Sequence, residues 1–386
     1  MLRNVKLKLN YLLLFFYLLP VYVLPGIVVT LVKLVRYAGF LWAALLYIEN
    51  GYYKNKALGL ILLLLGSMTV STIVNRNGYS ILLSLIYNIF SASVLTMYIV
   101  RTDRYRGIAN ITAMLSILLI GQALTFLKGG FGELLDSNRM VNTLYLFGIR
   151  VEFNNIYIFA VSLILIMWFL WGKSHRLLWV AGIASGVLFI VGEWVSTAIM
   201  TTLVLCAVFV VRRFIKNMTL WKLGAVAAIG VIMAFYIKGT NASMLKELIE
   251  NVLKKDMTFS GRTYIWEQAI DYMKGWHWIF GYGLNSGKLF HLVNGWTADT
   301  AHSQYLNLMF YFGVPALLIY VAMIMSQFKW ATRLKHEKSK RIITATLIAV
   351  IVMGISTTTF RSVYMYVYYT VVCLMPEVEF KSIITV

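Results

Sequence analysis

Residues 57–75 read ALGLILLLLGSMTVSTIVN, a run without one charged side chain. About 20 such residues, wound as a helix, cross the roughly 30 Å hydrocarbon core of a bilayer. This stretch is therefore a transmembrane span. Working outward, similar runs lie before it at 11–25 and 27–48 and after it at 80–100 and 108–127. More are expected at 154–172, 177–191, 196–211, 222–239, 304–328, 342–360 and 363–375. The chain reads as an all-α polytopic membrane protein of about 12 transmembrane helices, one membrane domain over 1–386.

Composition supports this. Of 386 residues 60% are hydrophobic and only 13% charged, with mean hydropathy +0.76. Soluble domains are about a quarter charged. A soluble enzyme, a disordered regulator and a nucleic-acid-binding domain are excluded, although the net charge is +20. That charge follows topology: Arg101, Arg104 and Arg106, then Arg212, Arg213 and Lys216, then six Lys and Arg at 329–341 all fall on one side. Short basic loops stay in the cytoplasm, so both termini are expected there. Arg3, Lys6 and Lys8 precede a first apolar run interrupted by Pro20 and Pro25, which reads as an uncleaved helix. Cys206 and Cys373 lie in apolar runs and suggest neither a disulfide nor a metal site.

Two outer segments, 128–153 and the large extracytoplasmic loop 238–303, exceed what a connection needs, and most acidic residues fall on that side. The chemistry should face away from the cytoplasm. Leu245, Leu248, Ile249, Val252 and Leu253 repeat at helical spacing, as a lid or collar would. Ser260 can cap a helix whose apolar face is Trp266, Ala269, Ile270 and Met273. Arg262 then occupies the first turn, where the helix dipole opposes a cation by about 0.3–1 kcal/mol. Either a bound anion reverses that sign, or Glu267 or Asp256 pairs with it. Phe280–Gly287 (FGYGLNSG) reads as a flexible turn. His302 opens the span at 304–328, where the dipole keeps imidazole neutral; it could take a proton from a hydroxyl or cap the helix. Lys33 and Arg36 fall inside the second span, facing a cavity or snorkelling.

"TFSGRTYIWEQAIDYMKGWHWIFGYGLNSG" followed by "DTAHSQYLNLMFYFGVPALLIYV" resembles the signature of the O-antigen polymerase (Wzy-type) and O-antigen ligase superfamily. The resemblance lies in a Ser-Gly-Arg, a following Trp, an FGxG turn and an Ala-His start to a late helix, over about 70 residues in that order. Asn138-Arg139 through "LYLFGIRVEFNNIYIFAV", ending on Asn154 and Asn155, echoes an earlier family segment. The resemblance implies a GT-C-like membrane glycosyltransferase, without metal or cofactor, in a bacterial plasma or inner membrane with its active site on the extracytoplasmic side. Its implied substrate is an undecaprenyl-pyrophosphate-linked oligosaccharide. The lipid bilayer and that substrate are the expected partners, nucleic acid is not, and a chain-length regulator stays open. By match, Arg262 would bind pyrophosphate and His302 would activate the acceptor hydroxyl, with Asn155 near substrate. The chain departs twice: Gly192-Glu193-Trp194-Val195-Ser196-Thr197-Ala198 lacks the family's Arg, and Ser303 replaces an Asn. A second cation must come from Arg139, Arg150 or Arg361.

These residue types suit the reaction. A pyrophosphate leaves readily once guanidinium groups meet its charge, and a near-neutral base suffices for the hydroxyl. A glycoside hydrolase would need paired carboxylates instead. Trp266, Trp276, Trp278 and Trp296 would stack on sugars or anchor at the interface. The expected function is polymerisation of surface-polysaccharide repeat units, with a ligase of the same superfamily as the alternative. A transporter fits less well, because no internal repeat is visible.

Overall fold

The computed structural model describes residues 2–21, 24–135, 141–170, 175–210, 262–284, 287, 290–291 and 297–384. The span expected at 222–239, the amphipathic segment 245–253, Arg139, Asp256 and Trp296 lie outside them. The described helices are α1 (Leu2–Leu18), α2 (Gly26–Glu49), α3 (Lys56–Asn75), α4 (Tyr79–Leu127), α5 (Asn154–Leu170), α6 (Arg176–Gly192) and α7 (Ser196–Val210). Within the segment 238–303 come α8 (Arg262–Tyr272) and the single turn α9 (His277–Phe280), followed by α10 (Gln304–Thr332), α11 (Glu337–Met353) and α12 (Val363–Ile384). Among the described residues, α2, α3, α4 and α10 are long and apolar enough to cross a membrane, while α5 and α6 are shorter apolar helices.

α4 is two helices joined at a sharp break. Arg104 leaves the helical region at φ 52°. In a straight helix Ile99 and Gly107 would be about 12 Å apart, yet a Cβ added at Gly107 would meet Ile99 O at 2.9 Å. The chain has doubled back, as the separate runs 80–100 and 108–127 require. α5, apolar all round, is buried on almost every side, as such helices are in a core. Around it pack α4, α11 and α12.

Several expectations change. The first helix begins nine residues early and stops at Leu18, because Pro20 disfavours helical geometry in the residue before it. The run 342–360 is not one span: α11 ends at Met353 and a non-helical loop at 354–362 follows. That loop proves central to the site. Nor is the chain wholly α. Strand β1 (Gly132–Leu135) pairs antiparallel with β2 (Val141–Leu144), and β3 (Phe290–His291) with β4 (Thr297–Ala298). Both ladders are short and lie in the segments 128–153 and 238–303, where sequence periodicity had too few residues to register.

The charges in the second span resolve differently from each other. Lys33 is exposed. Arg36 is buried, donating Nε to Phe16 O at 3.0 Å and Nη2 to Leu19 O at 2.6 Å. Phe16 O would ordinarily accept from residue 20, but a proline has no N–H to give. Arg36 thus caps the broken end of α1.

Candidate functional site

The candidate site forms where the N-terminal end of α10 meets the 354–362 loop and α8. α8 rests on Ile265, Trp266, Ala269 and Met273, all buried; Ile270, expected on that face, is 37% exposed and points away. Trp266 Nε1 donates to Ala301 O at 2.9 Å, so this tryptophan is a structural strut. Gln268 pairs with both backbone groups of His291, at 2.6 and 2.8 Å. Together these bonds fix α8 against the chain entering α10.

Arg262, at the start of α8, donates Nη1 to Ser356 O at 2.7 Å. Among the described residues no carboxylate neutralises it; Glu267 is not its partner. Burial lowers its pKa, which marks a cation short of solvent and of counter-charge. Such a group attracts an anion strongly.

His302 lies beside it, near enough that the two interact electrostatically. Its pKa falls to about 4, first through burial and then through the Arg262 charge, with Asp299 opposing. The residue is nevertheless exposed. A lowered pKa keeps the imidazole neutral at ordinary pH. Its backbone has φ 49°, a left-handed conformation that costs a non-glycine residue about 1–3 kcal/mol. His302 does not cap α10. Ser303 holds that place, and Gln304 N–H reaches across to Gly354 O at 2.7 Å.

The 354–362 loop gathers the other predicted residues. Arg361 is exposed and lies over the rings of Tyr311, at 5.3 Å, and Phe360, at 5.4 Å. Tyr311 Oη in turn donates to Asp299 O at 2.8 Å, three residues before His302. Ser362 Oγ donates to Asn155 O at 3.2 Å, while Asn155 Oδ1 is buried without a hydrogen-bond partner. Arg361 thus sits on this loop, Arg262 and Asn155 bond to it, and the residues just after His302 bond to its start at Gly354. Arg150 does not join them. It is exposed and reaches Glu193 O at 3.5 Å, beside a Tyr145 Oη–Glu193 carboxylate hydrogen bond. Nearby, burial pushes the Glu152 carboxyl up to about 7.

Sequence reasoning missed the residues that hold the loop. Gln304 Oε1 accepts from Thr359 N at 2.5 Å and Phe360 N at 3.1 Å. Asn307 bonds Ala301 N at 2.8 Å and Thr358 Oγ1 at 2.6 Å. The signal was present: two amides three residues apart, immediately after His302, on an otherwise apolar helix.

The glycine-rich turn is a joint, contrary to its reading as a flexible connection. Pro315 and the break at Gly313, φ 82°, strip α10 of backbone donors for the carbonyls of Phe310 and Tyr311. Tyr282 N–H and Gly283 N–H supply them, at 2.8 and 2.9 Å, and Ser71 Oγ also reaches Tyr311 O, at 2.7 Å. A Cβ at Gly281 would collide with the backbone of Tyr311, and one at Gly313 with Ile279 O. Asn77 Nδ2 grips Tyr282 O at 2.9 Å from the end of α3. His277, stacked 3.8 Å from the Tyr282 ring, belongs to this joint.

No curated protein matches the chain. Residues 192–321 match the family model described as O-antigen ligase (Wzy_C), a region that includes both Arg262 and His302 but less than half the chain. This match supports a place in the O-antigen ligase/Wzy superfamily of surface-polysaccharide assembly, and it does not separate polymerase from ligase.

Proposed function

We propose that this protein polymerises surface-polysaccharide repeat units on the extracytoplasmic face of a bacterial plasma or inner membrane. The donor is a glycan on undecaprenyl pyrophosphate, and the acceptor is a sugar hydroxyl of a second lipid-linked unit. The observation that carries the reading is the pairing of a neutral, accessible His302 with an Arg262 lacking any described counter-carboxylate. The acceptor oxygen attacks the anomeric carbon, the bond from that carbon to the pyrophosphate oxygen breaks, and the hydroxyl proton passes to His302 Nδ1 or Nε2. The pyrophosphate departs with the bonding electrons, its charge met by Arg262. Arg361, over Tyr311 on the loop that anchors Arg262, is the second cation; Arg150, held by Glu193, is not favoured.

The second reading is a ligase, favoured by the printed description of the matching family model. One assay tests both. Purified protein in nanodiscs receives lipid-linked repeat units, with or without a lipid A-type acceptor. Elongated lipid-linked chains indicate a polymerase, and transfer only to the added acceptor indicates a ligase. His302→Ala and Arg262→Ala should each lower the rate at least about 100-fold. Wild-type rates in both variants, correctly folded, would remove these residues from the chemistry.

A further inference from the structure

His302 holds a backbone conformation that persists only where its surroundings enforce it. The chain is held on both sides of it. Ala301, fully buried, gives its N–H to Asn307 Oδ1 at 2.8 Å, and its carbonyl accepts from Trp266 Nε1 at 2.9 Å. On the other side, Gln304 N–H is tied to Gly354 O at 2.7 Å. The loop that begins there anchors Arg262 through Ser356 O. Two residues further on, Thr358 Oγ1 accepts from Asn307 Nδ2 at 2.6 Å. Asn307 is 1% exposed, so water does not substitute for either bond.

A single buried amide therefore touches the chain bearing His302 with its oxygen and the loop anchoring Arg262 with its nitrogen. We propose that Asn307 is a positioning residue, setting the separation between the His302 imidazole and the Arg262 guanidinium. The proposal rests on the glycan-transfer reading of the site. An amide suits the task because one rigid plane carries both an acceptor and donors. Displacing a catalytic group by about 1 Å can cost about 100-fold in rate. That makes a second-row strut consequential without any contact to substrate. The charges acting on His302 are Arg262 from α8 and Asp299 from its own loop, while Arg361 of the facing loop lies over Tyr311.

Three variants separate positioning from simple support. Thr358→Val keeps volume and removes only the loop end of the strut. Asn307→Leu removes both ends. Asn307→Asp keeps both, accepting from Ala301 N–H and from the Thr358 hydroxyl. Full-length protein in nanodiscs is assayed with lipid-linked repeat units for kcat, KM and pH profile, alongside thermal unfolding. Thr358→Val and Asn307→Leu should lower kcat about 10- to 100-fold with KM unchanged. Their acid limb should move up toward the pH of a free imidazole, as His302 drifts from the Arg262 charge. Asn307→Asp should recover most of kcat. A lower melting temperature with wild-type kcat and an unmoved acid limb in Thr358→Val would overturn the proposal, and that variant alone decides if Asn307→Leu does not fold. If wild type elongates chains, His302→Ala does not, and Thr358→Val behaves as wild type, positioning fails and the glycan-transfer reading stands. If wild type and His302→Ala are equally inactive, both fall.

Discussion

His302 and Glu152 lie in the segments 238–303 and 128–153 and depart from their ordinary acidities in opposite directions, giving opposite dependences on pH. His302 has its pKa lowered to about 4, so the unfolded chain binds its proton first as pH falls. Its share of stability is intact above about pH 6.5 and is lost between there and about 4. Glu152 is raised to about 7, so the folded state favours its neutral acid; its contribution is full below about pH 4 and is lost as pH rises toward 7. Glu152→Gln should therefore raise the melting temperature at pH 7 and leave it unchanged at pH 4. A drop at pH 7 would show that the carboxylate is held by a partner instead. For catalysis, the base form of His302 should persist down to about pH 4. Arg262→Gln should move that acid limb upward, though not the whole way to 6.5, because burial is the larger cause. At this scale the sequence offered the candidate groups but not what holds them. Arg262 and His302 could be named from motif and helix position, whereas the role of Asn307 depends on a loop 50 residues away.

At the scale of elements, the joint between the glycine-rich turn and α10 shows why sequence misled. Three glycines in eight residues suggested freedom. In the fold, Gly281 admits the Tyr311 backbone and Gly283 the Asn77 side chain, and the break and proline of α10 leave the carbonyls that Tyr282 and Gly283 N–H satisfy. Gly281→Ala and Gly313→Ala both place a Cβ into backbone at positive φ. Each should destabilise by more than the roughly 1–3 kcal/mol of conformational strain alone. Gly59→Ala, in α3 with open space around it, should leave the melting temperature level or slightly higher. Equal behaviour of the three would dissolve the joint. The unexpected break after Met353 has a similar lesson: an apolar run of spanning length concealed a loop rich in Ser and Thr, whose hydroxyls and backbone serve the site.

Across the whole molecule, charges sort by end. Lys6 pairs with Glu49, Tyr11 with Asp103, Arg101 with Glu377, and Lys335 N–H with Glu379, joining both terminal helices to the basic connections. Arg262, His302 and Arg361 belong to other connections entirely. With the positive-inside rule this predicts the terminal end in the cytoplasm. Single cysteines at Lys338 and at Lys128, in a chain lacking Cys206 and Cys373, should label from opposite sides with a membrane-impermeant thiol reagent, Lys128 from outside. Labelling of both from one side would invert the scheme. Among the described residues the order of apolar runs was legible, because a helix that crosses a bilayer needs its own length of hydrophobic chain. The small outer ladders were not, since their pairing is non-local.

The kink in α10 carries one more consequence. Above Gly313 the helix is fastened laterally to α3 and to the loop before α12, while below it a continuous backbone ladder runs on to Thr332. A thicker or thinner bilayer acts on that lower rod, which can tilt about the break. The reaction mouth, tied to its surroundings instead, keeps its shape as acyl-chain length varies.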